Sequence, residues 1–249
     1  MARKRASPAP LRFRGTPRAL EALAPVALDL PADATLVLEA VAGRRATATI
    51  EPVALQSEAA GASATWLRFD LPLQTPPGTY EGGVQVGPDR YPVTIEVQPL
   101  PDLDVTPSQL SLTAVPGGRE TVELTLVNNG NVPVAIERAY AFNLLEPSAI
   151  EEAFHSALRE HGRSLDERLH RLAEQLDERH GGLVRVAVEA GSGALDPGEI
   201  RDVRAVLRFG KELRRGATYT TTWAIGNLNL WIEVAVQAEA RQRRRRETA

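Results

Sequence analysis

The four histidines, His155, His161, His170 and His180, are the residues from which a metal or acid–base site would most readily be built. A two-histidine metal site on a helix needs rings three or four residues apart, so that both leave one face. The intervals here are six, nine and ten residues. Neighbouring acids offer no repair. Glu151-Glu152, Asp166-Glu167 and Asp177-Glu178 are adjacent in sequence, and adjacent residues on a helix point about 100° apart. The first two pairs suit a helix start, where carboxylates oppose the dipole, and Glu167 with Arg171 has the stabilising four-residue order. No serine stands in a G-x-S-x-G turn, and the glycine-rich stretches at 117–118, 181–182 and 191–193 lack the sequence that cradles phosphate. The chain has no cysteine, which removes thiolate nucleophiles, disulfides and cysteine-ligated metals. The residues therefore point to a non-catalytic protein with no metal ligand and no cofactor.

Binding chemistry is left. Trp66, Trp223 and Trp231 are the candidates for a glycan platform, with Tyr219 and Trp223 on one face of a strand, although one Trp per sandwich is commonly a core residue. Charge is unevenly spread. Residues 1–18 carry six basic side chains and no acid, and residues 239–249 carry five arginines against two glutamates. With a net charge of −3 overall, the body between the tails holds about −12. Arg243, Arg244, Arg245 and Arg246 are expected either to be a solvated end or to dock on an acidic surface or polymer. Contacts of the tails with nucleic acid would be non-specific and salt-sensitive.

VALDL (26–30), TLVLEAV (35–41), RATATIEPVAL (45–55), TWLRFDL (65–71), TYEGGVQV (79–86) and RYPVTIEV (90–97) read as short strands between turn signals. Leu67, Phe69 and Leu71 alternate with Trp66, Arg68 and Asp70, the period of a half-buried strand. After the stiff Pro99-Leu100-Pro101 joint the pattern repeats: Leu110, Leu112 and Ala114, then Val122, Leu124 and Leu126, then Val132, Val134 and Ile136. Gly117-Gly118 supplies one turn, and Asn128-Asn129-Gly130-Asn131 supplies residues tolerant of positive φ. LVRVAVEA, IRDVRAVLRF, TYTTTWAI and LNLWIEVAV complete the set.

The string TPSQLSLTAVPGGRETVELTLVNNGNVPVAI resembles the opening strands of bacterial immunoglobulin-like modules of the NEW3 and ASPM–SPD2–Hydin type, with ALDPGEIRDVRAVLRF and GATYTTTWAI resembling their later strands. PPGTYEGGVQV resembles the strand of such domains in which a Tyr after a Gly closes a corner. The resemblance implies a sandwich fold with a role in binding or architecture.

Between these strands, Ile150, Phe154, Ala157 and Leu158, then Leu165, Leu169, Leu172, Ala173 and Leu176, fall at helical spacing. Two helices are predicted, about 149–161 and 165–179, or one kinked at Gly162. Capping boxes are expected at Ser148/Glu151 and Ser164/Glu167, and the end is expected at Gly181-Gly182. The seam Leu165, Leu169, Leu172, Leu176 buries one stripe either within its own domain or on a partner, and two heptads are too short to stand alone. Each fully buried Leu contributes about 1.5–3 kcal/mol.

The expected fold class is all-β: two tandem Ig-like sandwiches, the second with an inserted helical hairpin. The expected domains are a basic arm over 1–24, a first sandwich over 25–99, a second over 102–238 with its insertion at about 148–181, and a basic tail over 239–249. The expected function is a structural or adaptor subunit contacting other protein subunits through sheet edges, Phe154, the leucine seam and the arginines at 243–246, in an oligomeric state left open. The alternative is an accessory module for a glycan or acidic polymer. Pro8, Pro10, Arg12 and Arg14 interrupt any secretory apolar run, no stretch is long enough to span a bilayer, and the chain begins with Met1, so a cytoplasmic protein is expected.

Overall fold

The computed structural model describes residues 11–24, 35–36, 53–54, 56–59, 65–86, 89–159 and 164–238. The strand expected over 26–30, most of those expected over 35–41 and 45–55, and both chain ends lie outside them. The described residues form two compact units. The first runs up to Leu103 and includes Asn128–Val134 and Asp196–Glu199; the second holds Asp104–Val127, Ala135–Leu195 and the residues from Ile200.

In the first unit, β1 (Leu11–Thr16), β2 (Ala19–Ala24), β5 (Gln56–Ala59), β6 (Thr65–Phe69), β7 (Gly78–Val86) and β8 (Asp89–Val97) form one sheet in the order β5-β6-β2-β1-β8-β7. Two short segments, β3 (Thr35–Leu36) and β4 (Val53–Ala54), pair separately. Residues 11–24, expected to belong to a basic arm, are two central strands of this sheet. Leu11 and Phe13 are buried while Arg12 and Arg14 face outward, and Arg14 meets Glu96 of β8 at 3.5 Å. The arginines thus mark the solvent face of a period-2 strand. Gly15 permits the tight β1–β2 turn, since a Cβ there would lie 1.8 Å from the Ala19 carbonyl oxygen.

Tyr80 closes a corner as the resemblance implied. Its ring is buried, and its hydroxyl donates to the Pro76 carbonyl at 2.6 Å. Burial holds that hydroxyl above the ordinary tyrosine value.

The Asn-Asn-Gly-Asn loop does not work through positive φ, which none of its residues adopts. It works through side-chain amides. Asn131 is buried, donates to the carbonyls of Thr75 and Gln98 (both 3.0 Å), and accepts from the Leu100 N–H at 2.6 Å. Gly130 is required by close approach, because a Cβ would stand 2.1 Å from the Leu100 oxygen.

The second unit contains β9 (Leu103–Thr106), β10 (Gln109–Ala114), β11 (Arg119–Asn128), β12 (Val134–Ile136), β13 (Ala139–Leu145), β14 (His180–Ala190), β15 (Gly193–Leu195), β16 (Ile200–Arg208), β17 (Thr218–Ile225) and β18 (Leu228–Val236). Eight of them make a ladder ordered β10-β18-β17-β13-β14-β16-β11-β9; β12 and β15 pair separately. Continuity of the ladder depends on β13. Residues Ala139–Asn143 pair with β14, whereas β17 is met at a single position, Leu145 opposite Thr220. β13 is therefore the link between two strand groups.

Alternate residues are buried on β18 (Leu230, Ile232, Val234 and Val236) and on β11 (Val122, Leu124 and Leu126), while β16 buries Ala205, Val206 and Leu207 in succession. One face is core and the other solvent, the arrangement of a sheet folded over on itself. Trp223 lies in this core, with the Tyr140 ring edge-on at 5.3 Å and Phe142 at 6.3 Å.

The fold is all-β, with a helical hairpin, α1 (Ala149–Arg159) and α2 (Leu165–Glu178), inserted between β13 and β14. Among the described residues no helix is long and apolar enough to cross a membrane.

Candidate functional site

The hairpin leaves the sheet on one strand and returns on its antiparallel neighbour. Leu145 stands opposite His180, and the next N–H, that of Glu146, donates to the Arg179 carbonyl at 3.2 Å. Two ion pairs brace this base. Arg179 reaches Glu152 in the first turn of α1, and Arg214 reaches the Glu146 carboxylate.

Local sequence chemistry starts each helix differently. Ser164 is extended (φ −63°, ψ 161°), accepts from the Glu167 N–H at 3.3 Å, and donates its own N–H to the Glu167 carboxylate at 2.8 Å. That is the expected capping box. The box expected at Ser148 does not form. Ser148 sits at φ 63°, left-handed and not extended as a capping residue must be, and α1 begins instead with the Ala149 N–H bonded to the Glu146 carbonyl at 3.0 Å. Nor do Gly181 and Gly182 end α2. Arg179 is its C-cap, and both glycines lie in β14. Gly181 instead allows contact with the core, where a Cβ would be 2.7 Å from the Tyr219 ring. Arg171 turns to Glu174 (3.6 Å) while Glu167 serves the cap.

α1 buries Ala149, Ala153 and Ala157, a row of small residues that lets α2, its principal packing partner, come close. Its larger apolar residues point elsewhere: Ile150 is 54% and Phe154 47% exposed. α2 has no buried residue at all. The expected leucine seam is split. Leu172 and Leu176 are half-buried, whereas Leu165 is 71% and Leu169 54% exposed. Phe154, Leu165 and Leu169 are thus apolar side chains held out to solvent on a braced element, joined by Ile150, which the seam pattern did not single out as a contact residue. Arg243, Arg244, Arg245 and Arg246 lie outside the described residues.

A shallow groove on the hairpin is lined by Glu152, His155, Ser156, Arg159, Gln175 and Arg179. Its one carboxylate is engaged by Arg179. His170 lies against Glu174 at 3.3 Å, four residues along one exposed face. Among the described residues no three of His, Asp and Glu come together in a way that would hold a metal ion. Tyr219 and Trp223 are core residues, so of the tryptophans proposed for a glycan platform Trp231 is the exposed one among the described side chains.

The chain matches no known protein family and no curated protein. Solved structures that align with it include immunoglobulin-like and PapD-like domains. The ASH/PapD-like domain of human CEP192 is 14% identical and aligns over 58% of this chain and 94% of its own, with a TM-score of 0.30. Dpr11 IG1 bound to DIP-gamma IG+IG2 is 12% identical over 92% of this chain and 96% of that one, TM-score 0.30. The titin domains z1z2 in complex with telethonin are 12% identical over 93% and 95%, TM-score 0.25. At these scores the likenesses carry no argument about function, which has to come from the hairpin itself.

Proposed function

We propose that the chain is a non-catalytic structural or adaptor protein that docks a partner polypeptide on the apolar residues of its helical hairpin. The observation that supports this reading is the exposure of Leu165, Leu169, Ile150 and Phe154 on a helix pair whose second member has no fully buried residue. Four large apolar side chains exposed on one helix pair supply the material of a contact surface, since exposed apolar patches mark interaction sites. The bracing of the hairpin base by Glu146, Glu152, Arg179 and Arg214 supports it too, because a fixed surface loses less freedom on binding.

Replacing Leu165 and Leu169 together by Asp tests this. The double variant is expected to melt within about 2 °C of the wild type, since neither leucine is buried, and to lose the proteins co-purified by the wild-type chain from its host. Unchanged co-purification, or a fall in melting temperature of several degrees, would show that the leucines serve folding instead. A glycan-binding module is the second reading. Burial of Trp223 and Tyr219 leaves it little to work with, because a sugar platform needs several exposed rings in one plane.

A further inference from the structure

The second unit carries an arrangement that the hairpin does not involve. Three arginines stand directly opposite one another across three neighbouring strands: Arg119 of β11 faces Arg208 of β16, and Arg208 faces Arg185 of β14. Opposed residues in antiparallel ladders leave the same face with Cβ atoms about 4.5–5.5 Å apart, and like charges so placed destabilise a sheet. All three are exposed.

Other strand arginines avoid this. Arg204 holds Glu123 at 2.8 Å, Arg14 holds Glu96 and Arg68 holds Glu21. The side chains of Arg119, Arg185 and Arg208 have no ion-pair or hydrogen-bond partner among the described residues. Glu212 lines the same shallow depression as Leu183, Arg185 and Arg208, yet among the described residues no ion pair joins it to either arginine. In a chain whose body is acidic, the row is a local concentration of unneutralised positive charge.

We propose that this row docks an acidic, extended segment of a partner polypeptide, whose carboxylates supply the missing counter-charges. Guanidinium groups fit carboxylates in a two-pronged geometry and are less strongly hydrated than ammonium groups. Leu183, exposed two residues before Arg185 on the same face, offers an apolar contact of the kind a polypeptide side chain uses. The residues beside the row on that face, Thr121, Ala141, Val206 and Ala187, are not aromatic, and the ring of Phe209, which lines the depression next to Arg208, is buried, so neither offers a base a surface to stack on. The acidic body also repels a long polyanion, whereas a short acidic segment meets only the row. The inference stands independently of the hairpin.

The test is a titration of the full chain into a fluorescein-labelled octaglutamate peptide at two salt concentrations. Saturable, salt-sensitive binding is expected. Arg208→Glu should weaken it at least tenfold while leaving the melting temperature unchanged or higher, because a carboxylate then separates two guanidinium groups. Arg119→Gln and Arg185→Gln, milder changes, should each weaken it about threefold. A variant with Arg243–Arg246 changed to Ser should bind as the wild type does, as should the Leu165/Leu169 double Asp variant. The proposal is overturned by absence of saturable binding, by unchanged affinity in Arg208→Glu and both Gln variants, by loss confined to the tail variant, or by a twelve-nucleotide oligothymidylate displacing the peptide at equal or lower concentration.

Discussion

Tyr80 and Asn131 show how single side chains hold the first unit. The phenol of Tyr80 is buried and hydrogen-bonded to Pro76, and burial raises its pKa above the ordinary value near 10. The neutral form is thus preferred in the folded state. Its contribution is complete below pH 10 and is lost as pH rises through the higher folded value. Tyr80→Phe removes one hydrogen bond and should cost about 0.5–1.5 kcal/mol at pH 7. It should also lessen the fall in stability above pH 10, measured by denaturant unfolding across pH 8–11. Tyr140, raised mainly by burial as well, leaves a residual alkaline dependence in that variant. Asn131 occupies three backbone groups at once, so Asn131→Ala leaves the Thr75 and Gln98 carbonyls and the Leu100 N–H short of a partner. A loss of about 1–3 kcal/mol in the same assay is expected for that change. Neither role is visible in composition. The Gly-Thr-Tyr string announces a corner, but an Asn-rich loop reads as a turn until its amide partners, distant in sequence, are known.

At the scale of elements, the hairpin is a graft on a strand pair. β13 and β14 are antiparallel neighbours that stay paired, across a bulge between Asn143 and Leu145, up to Leu145 and His180, and each helix finds its main packing partner in the other. Replacing residues 146–179 by Asn-Gly should therefore leave a two-residue β-turn on an intact ladder. We expect the shortened chain to keep the near-ultraviolet signature of buried Trp223 and to lose the partner docking proposed for the hairpin. Collapse of that signature would mean that the helices are needed to close the sheet. The two helices are legible in the sequence because Ile150, Phe154 and the leucines recur at 3.6-residue spacing, and Ser164 with Glu167 announces its own cap. The start of α1 is not, because the backbone of Ser148 is set by the turn from β13 and overrides the S-x-x-E pattern. β1 was concealed for a different reason. Arg12 and Arg14 read as a basic tail, and the alternation of Leu11 and Phe13 acquires meaning only when β8 lies alongside.

Over the whole molecule, net charge and local charge part company. A body of strongly negative net charge suggests that positive contacts belong to the tails, yet register sets three arginines, sixty-six and twenty-three residues apart in sequence, side by side on one face. Apolar periodicity alone determined that this chain is built of strands with a helical interruption, since period 2 and period 3.6 are local properties of the backbone. The same local rules placed most strands and both helices. Only the tertiary structure decided which of the leucines are covered and which are presented, which arginines meet acids and which meet each other, and that residues 11–24 are central strands. Burial and pairing of this kind depend on residues far apart in the chain, and no pattern within a single segment records them.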